Sequence, residues 1–208
     1  FDGSGYGADP LMPEERQLVA HARGLKNMPE SVRLECPEWA YAGLKRAFPE
    51  TFESEMQAMQ CEAPLDLRVN TLKATREDVL KHLRGDGLEV VPTPYSPWGL
   101  RVQGRPPFSM HPLYQHGHME VQDEGSQLLS LLCDVKPGEW VVDFCAGAGG
   151  KTMALAAMMQ NKGRIWACDV EERRLDNARK RFRRSGIHCV ETICLTDERD
   201  DWVRKHSE

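Results

Sequence analysis

No stretch of this 208-residue sequence approaches the ~20 consecutive apolar residues of a membrane span. It also lacks the charged, apolar and small-residue succession of a secretory signal. No two of the seven cysteines are spaced C-x-x-C, which removes the zinc ribbon and the dithiol redox motif. Several lie inside apolar, strand-like runs, where a thiol serves as a small buried hydrophobe; reduced thiols in a cytoplasmic compartment are expected. His111, His116 and His118 cluster without a cysteine or carboxylate at ligand spacing, so they read as loop histidines and no metal is expected. Internal repeats and low-complexity tracts are missing. So is an initiating methionine: the chain opens on Phe1, in a glycine-rich stretch, FDGSGYGADP, that is expected to be mobile.

What is present describes a soluble globular protein with one or two cores: 40% hydrophobic and 28% charged residues. The net charge of −5 argues against indiscriminate polyanion binding, but it is uneven. Residues 1–64 carry a net −5, residues 65–118 a net +2 and residues 119–208 a net −2. A phosphate backbone would therefore favour the middle segment, through Arg68, Lys73, Arg76, Lys81, Arg84, Arg101 and Arg105. A second basic run, Arg173, Arg174, Arg179, Lys180, Arg181, Arg183 and Arg184, shares its helix with Glu171, Glu172 and Asp176 and reads as a solvated face.

The periodicity divides the chain into the same three parts. Residues 1–64 read as short helices, with Pro13 and Pro37 at first helical positions. Their apolar stripes, Ala40, Leu44, Ala47 and Phe48, then Phe52, Met56 and Met59, are expected to face a core. Residues 65–118 predict a small β-α-β-β unit. Leu65, Leu67 and Val69 alternate with Asp66, Arg68 and Asn70 as in a half-buried strand. Thr75 and Asp78 resemble a capping box that opens REDVLKHL, and Gly85 and Gly87 close that helix. LEVV and LRV supply two more strands. Residues 119–208 start with a helix capped by Asp123. There follow the apolar strand WVVDF, a glycine-rich turn, and alternating helices and strands with short turns, which is a doubly wound α/β pattern.

The turn at 143–152, DFCAGAGGKT, is a nucleotide-type loop, and three readings compete for it. A triphosphate P-loop needs glycine where Cys145 stands. The dinucleotide fingerprint begins at Gly147 and Gly149 but meets Thr152 where its last glycine belongs, leaving NAD as a second choice. The third reading uses every feature. Asp143 and Asp169 end neighbouring strands and deliver carboxylates to one crevice, where Asp169 can accept from both hydroxyls of a ribose and Asp143 can help hold an ammonium. Glycine backbone N–H groups bind a carboxylate. A ligand with a ribose, an ammonium and a carboxylate but no phosphate is S-adenosyl-L-methionine.

VQDEGSQL, VKPGEWVVDFCAGAGGKT, GRIWACDVEERRLDNARKRFRRSGI and LDLRVNTLKATREDVLKHL together resemble the Nop/Sun family of RNA cytosine-5 methyltransferases, in particular its bacterial ribosomal-RNA members, over roughly residues 35–208. The commoner family loop is C-A-A-P-G-G-K, with Gly147 and Ala148 here at the A-P positions. The resemblance implies a Rossmann-like class I methyltransferase sheet, truncated after its third strand, preceded by a small α+β domain for RNA and by N-terminal helices. It further implies that Cys145, Ala146, Gly147, Ala148, Gly149, Gly150 and Lys151 wrap the methionine part of the cofactor. Asp169 would bind the ribose, Arg174 would lie nearby and Asp197 would flank the adenine.

In that family a cysteine thiolate adds to C6 of cytosine so that C5 can take the methyl group, and the working cysteines stand in Pro-Cys and Thr-Cys contexts after the fourth and fifth strands. None of the seven cysteines here has either context, so no catalytic residue is expected within the chain. The opening on Phe1 and the stop at Glu208 point to a fragment of a longer polypeptide, or one held by a partner chain, with strand 141–144 left unpaired along one edge. The expected partner is ribosomal RNA, with transfer RNA as an alternative substrate and a non-catalytic RNA-binding assembly factor as the rival class.

Overall fold

The computed structural model describes residues 11–20 and 28–206; the opening expected to be mobile lies outside them. The chain forms two compact units, residues 1–63 and 64–208.

Among its described residues the first unit holds four short helices: α1 (Pro13–Ala20), α2 (Glu30–Arg33), α3 (Glu38–Ala47) and α4 (Phe52–Gln60). Pro13 starts α1, while Pro37 sits one residue ahead of α3 as its N-cap. A small core of Leu34, Cys36, Phe52 and Met56 forms here, with Tyr41 set edge-on to Phe52 at 5.4 Å. The apolar stripes are only half inside. Phe48 lies past the end of α3 and Met59 on the outer side of the last turn of α4, and both are exposed.

The second unit opens with β1 (Leu65–Val69), α5 (Arg76–Gly85), β2 (Val90–Pro92) and β3 (Gly99–Val102), as the change of period predicts. The Thr75 side chain accepts from the Asp78 N–H and caps α5. After α6 (Pro112–Gln115) the chain adds a strand that periodicity does not show, β4 (Met119–Val121), too short at three residues to display alternation. The antiparallel order is β2-β3-β1-β4. Leu67, Val69, Leu100 and Met119 pack one face against Val79 and Leu83 of α5.

The other face of β1 departs from the expected half-buried strand. Asp66, Arg68 and Asn70 are each no more than 2% exposed. This face is covered as well, and each polar group on it is met by a specific partner, as burial requires. Asp66 takes a two-pronged contact from Arg101 at 2.7 and 2.9 Å. Arg68 donates to Gln122 at 2.6 Å. Asn70 donates to the carbonyls of Gly117 and Ser185 at 2.8 and 2.9 Å.

From α7 (Glu124–Leu132), capped by Asp123, the chain enters the parallel sheet β5 (Trp140–Asp143), β6 (Arg164–Asp169) and β7 (Val190–Cys194). Helices α8 (Gly150–Met158) and α9 (Glu172–Ser185) connect these strands, and α10 (Asp201–His206) follows. The order is β5-β6-β7. Met153, Ala156, Ile165, Ala167, Ala178 and Phe182 pack one face of the sheet against α8 and α9. On the opposite face Trp140 meets Trp166 edge-on at 5.6 Å and Trp166 meets Trp202 of α10 at 6.0 Å. Among the described residues β5 pairs with β6 alone, and Trp140, Val142 and Phe144 are exposed, so the apolar run is not covered on both sides there. No helix among the described residues is long and apolar enough to cross a membrane.

Candidate cofactor site

The carboxyl ends of the three parallel strands bound a crevice of about 420 Å³. That size lies within the roughly 300–1,000 Å³ typical of small-ligand sites. Its lining includes Cys145 and Gly147 after β5, Asp169 at the end of β6, Arg174 on α9, and Asp197 after β7. These five residues, far apart in sequence, are thus brought together.

The rest of the expected loop supports the crevice from behind. Ala146 is buried, and its N–H donates to Cys168 O on β6 at 2.8 Å. Gly149 caps α8 with φ +79°, and a Cβ there would come 2.4 Å from the Phe182 ring, so only glycine lets the turn lie on α9. Gly150 and the exposed Lys151 belong to the first turn of α8 and do not line the crevice; Ala148 points its carbonyl at Arg181 instead.

Asp169 is 7% exposed and fastens the loop: Gly147 N–H donates to its Oδ2 at 2.8 Å, and Glu171 N–H to its Oδ1 at 2.9 Å. A carboxylate offers about four acceptor sites, so two remain beyond these two bonds. Gly147 has φ +55° and nothing within 4 Å of where a Cβ would stand, which leaves open space beside the loop backbone. Asp143 accepts from Thr152 Oγ1 at 2.6 Å, so one of its oxygens secures α8. Arg174 pairs with Glu171 at 2.9 Å. Burial pushes the Cys168 thiol up to about 11, with the Asp143 charge adding to the effect, so Cys168 is inert as a nucleophile at neutral pH.

Residues 36–109 match a family model described as the RsmF/B-like methyltransferase ferredoxin-like domain, and residues 130–206 match 16S rRNA methyltransferase RsmB/F. The chain belongs to the RsmB/F methyltransferase family. The resemblance read from the sequence thus holds, and both matched regions fall in the parts that resemblance covers. Among relatives of this RsmB/F chain, ribosomal RNA small subunit methyltransferase B of Pseudomonas syringae pv. tomato is 33% identical over 75% of the chain and 35% of its own length. The mouse 28S rRNA (cytosine-C(5))-methyltransferase is 31% identical over 73% of the chain and 38% of its own length. A solved methyltransferase homologue from Pyrococcus horikoshii is 31% identical with a TM-score of 0.72, over 78% of this chain and 54% of that one. The RsmB/F chain thus spans roughly 35–39% of the curated relatives it matches.

Two readings of charge in the RsmB/F chain are corrected by its structure. Arg68 was expected to face a phosphate backbone; it is 2% exposed and faces the protein interior. Arg101 is held by Asp66, and Lys73 is exposed but donates to the carbonyls of His116 and Arg184 at 2.8 and 2.7 Å. The α9 cations are not all solvated either: Arg181 and Arg184 turn inward onto the buried Glu120. His111 uses its ring to cap α6 through the Leu113 N–H, in keeping with a loop histidine. The crevice also includes residues that the sequence did not single out: Phe144, Val170, Leu195, Thr196 and Glu198. A signal for Val170 existed. It is an apolar residue directly after a strand-ending acid, and it is 65% exposed.

Proposed function

We propose that this chain is the S-adenosyl-L-methionine-binding part of an RNA (cytosine-5-)-methyltransferase whose substrate is ribosomal RNA. The crevice carries the reading. It joins apolar walls, Phe144, Val170 and Leu195, to two carboxylates, Asp169 and Asp197, under a glycine loop with room for a ligand. The fit to an adenosyl amino acid is good: Asp169 has acceptor capacity left for the two ribose hydroxyls, Val170 and Leu195 offer faces for adenine, and Asp197 lies at that end. Cys145 to Lys151 would enclose the methionine part, with Asp143 acting on the ammonium through its second oxygen. When bound, this cofactor supplies an electrophilic methyl group. The chain's own residues bind and orient it.

The substrate half of the proposal rests on a family model named for 16S ribosomal RNA and on a relative named for 28S ribosomal RNA and for cytosine-C(5). No cysteine of this chain follows proline or threonine, so the thiol chemistry belongs to other parts of the whole enzyme. Localisation in the cytoplasm accords with seven unpaired cysteines.

Isothermal calorimetry with S-adenosylhomocysteine and with NAD tests the cofactor reading. Saturable binding of the first alone is the expected result. Binding of NAD alone would transfer the site to the dinucleotide class, and binding of neither would remove the ligand assignment.

A further inference from the structure

The small antiparallel sheet and the glycine loop are joined by one buried ionic cluster whose composition is uneven. Glu120 on β4 has a side chain 1% exposed. It accepts from Arg181 Nη2 at 3.0 Å, Arg184 Nη2 at 2.5 Å and Ser185 Oγ at 3.1 Å. Across the strand pair it stands opposite Arg68, which is buried as well. One carboxylate therefore faces three guanidiniums. Arg68 and Arg184 already exceed what Glu120 needs for neutrality. Burial lowers Arg68 to about 10; the charge of Glu120 opposes that fall, and the charge of Arg181 adds to it.

Arg181 is thus not required by charge balance and works against Arg68. What it alone adds is a second bond: its Nη1 donates to the carbonyl of Ala148, inside the glycine loop, at 2.7 Å. A planar guanidinium can hold a carboxylate on one edge and a carbonyl on the other without bending, and a charged donor strengthens the loop contact. A second link runs in parallel. Gln122, which accepts from Arg68, places its Nε2 3.6 Å from where a Cβ of Gly150 would be, against the start of α8.

We propose that Arg181 is a positioning residue for the cofactor loop, tying the Ala148 carbonyl to Glu120 so that the small antiparallel sheet sets where the loop stands. This rests on the reading of that loop as the cofactor's. It gives the small sheet a part in shaping the crevice: whatever shifts β4 shifts the loop, so a ligand on that sheet and one in the crevice are coupled through Arg181.

The test compares Arg181→Met with Arg184→Met in the full chain. Both remove a guanidinium from Glu120, but only the first releases the loop. In the ligand-free protein, amide hydrogen exchange over residues 146–150 is expected to rise at least fivefold in Arg181→Met and to stay within twofold in Arg184→Met. Affinity for S-adenosylhomocysteine should fall at least fivefold in the first variant only, while both lower the melting temperature. Exchange in Arg181→Met within twofold of wild type, or an equal rise in Arg184→Met, would overturn the proposal. If wild type fails to bind S-adenosylhomocysteine, the cofactor reading falls, and the exchange data still decide the positioning role. Should Arg181→Met not fold, Arg181→Lys answers instead. It keeps the buried charge, but one ammonium cannot span both acceptors, so loop exchange still rises; unchanged exchange there counts against the proposal.

Discussion

Glu120→Ala is expected to destabilise residues 64–208 by about 3–5 kcal/mol, the range for removing one partner of a buried ion pair. The side chain is 1% exposed and is the acceptor for Arg181, Arg184 and Ser185. Its loss leaves Arg68, itself 2% exposed, without its facing negative charge. Burial already depresses Arg68 to about 10 against the pull of Glu120; without that pull it falls further, so the folded state becomes harder to form at neutral pH. The sign follows from linkage. A base whose folded pKa lies below its unfolded value costs stability as pH falls from the unfolded value to the folded one. Wild type therefore stops losing stability from Arg68 below about 10, while the variant, with its folded value lower still, goes on losing it. Urea unfolding monitored by tryptophan fluorescence measures the loss. Glu120→Gln should be intermediate, since an amide oxygen still accepts but carries no charge. A cost below about 1 kcal/mol for Glu120→Ala would place that carboxylate with exposed pairs and refute the burial argument.

Asp169→Ala should weaken S-adenosylhomocysteine binding by roughly ten- to a hundredfold, corresponding to about 1–3 kcal/mol of hydrogen bonds left unmade. Two losses combine. The acceptors proposed for the ribose hydroxyls go, and so does the tie from Gly147 N–H, which fixes the loop on the end of β6. The freed N–H groups belong to Gly147, which lines the open crevice, and to Glu171, an exposed residue, so the fold should lose far less than in Glu120→Ala. Calorimetry on the folded variant separates the two effects. An unchanged dissociation constant would detach Asp169 from the ligand.

The two cases mark where the sequence was legible. WVVDF, GRIWACD and the small-residue turn between them declare a parallel strand, its neighbour and a tight glycine turn into a helix, because their apolar content and glycines have few other uses; the sheet order β5-β6-β7 follows. Thr75 and Asp123 act at helix starts, as short-range capping chemistry dictates. What could not be read was long-range. Alternation in LDLRVN shows that Asp66, Arg68 and Asn70 share a face, but a polar face normally meets water. Its burial depends on Arg101, Gln122 and Ser185, residues 35 to 115 positions away. The same holds for α9, where composition alone cannot tell Arg181, bonded to Glu120 at 61 residues' distance, from the exposed Arg183 two residues on. The crevice residues Leu195 and Thr196 escaped for a related reason: each is ordinary in sequence and becomes a wall only where three strand ends meet.

A crystal structure with S-adenosylhomocysteine bound tests the central claim most directly. The account predicts the nucleoside in the crevice after β5, β6 and β7, both ribose hydroxyls within hydrogen-bond reach of Asp169, and the amino-acid end against residues 145–151. Density for the ligand anywhere else, or a sugar out of reach of Asp169, would contradict it.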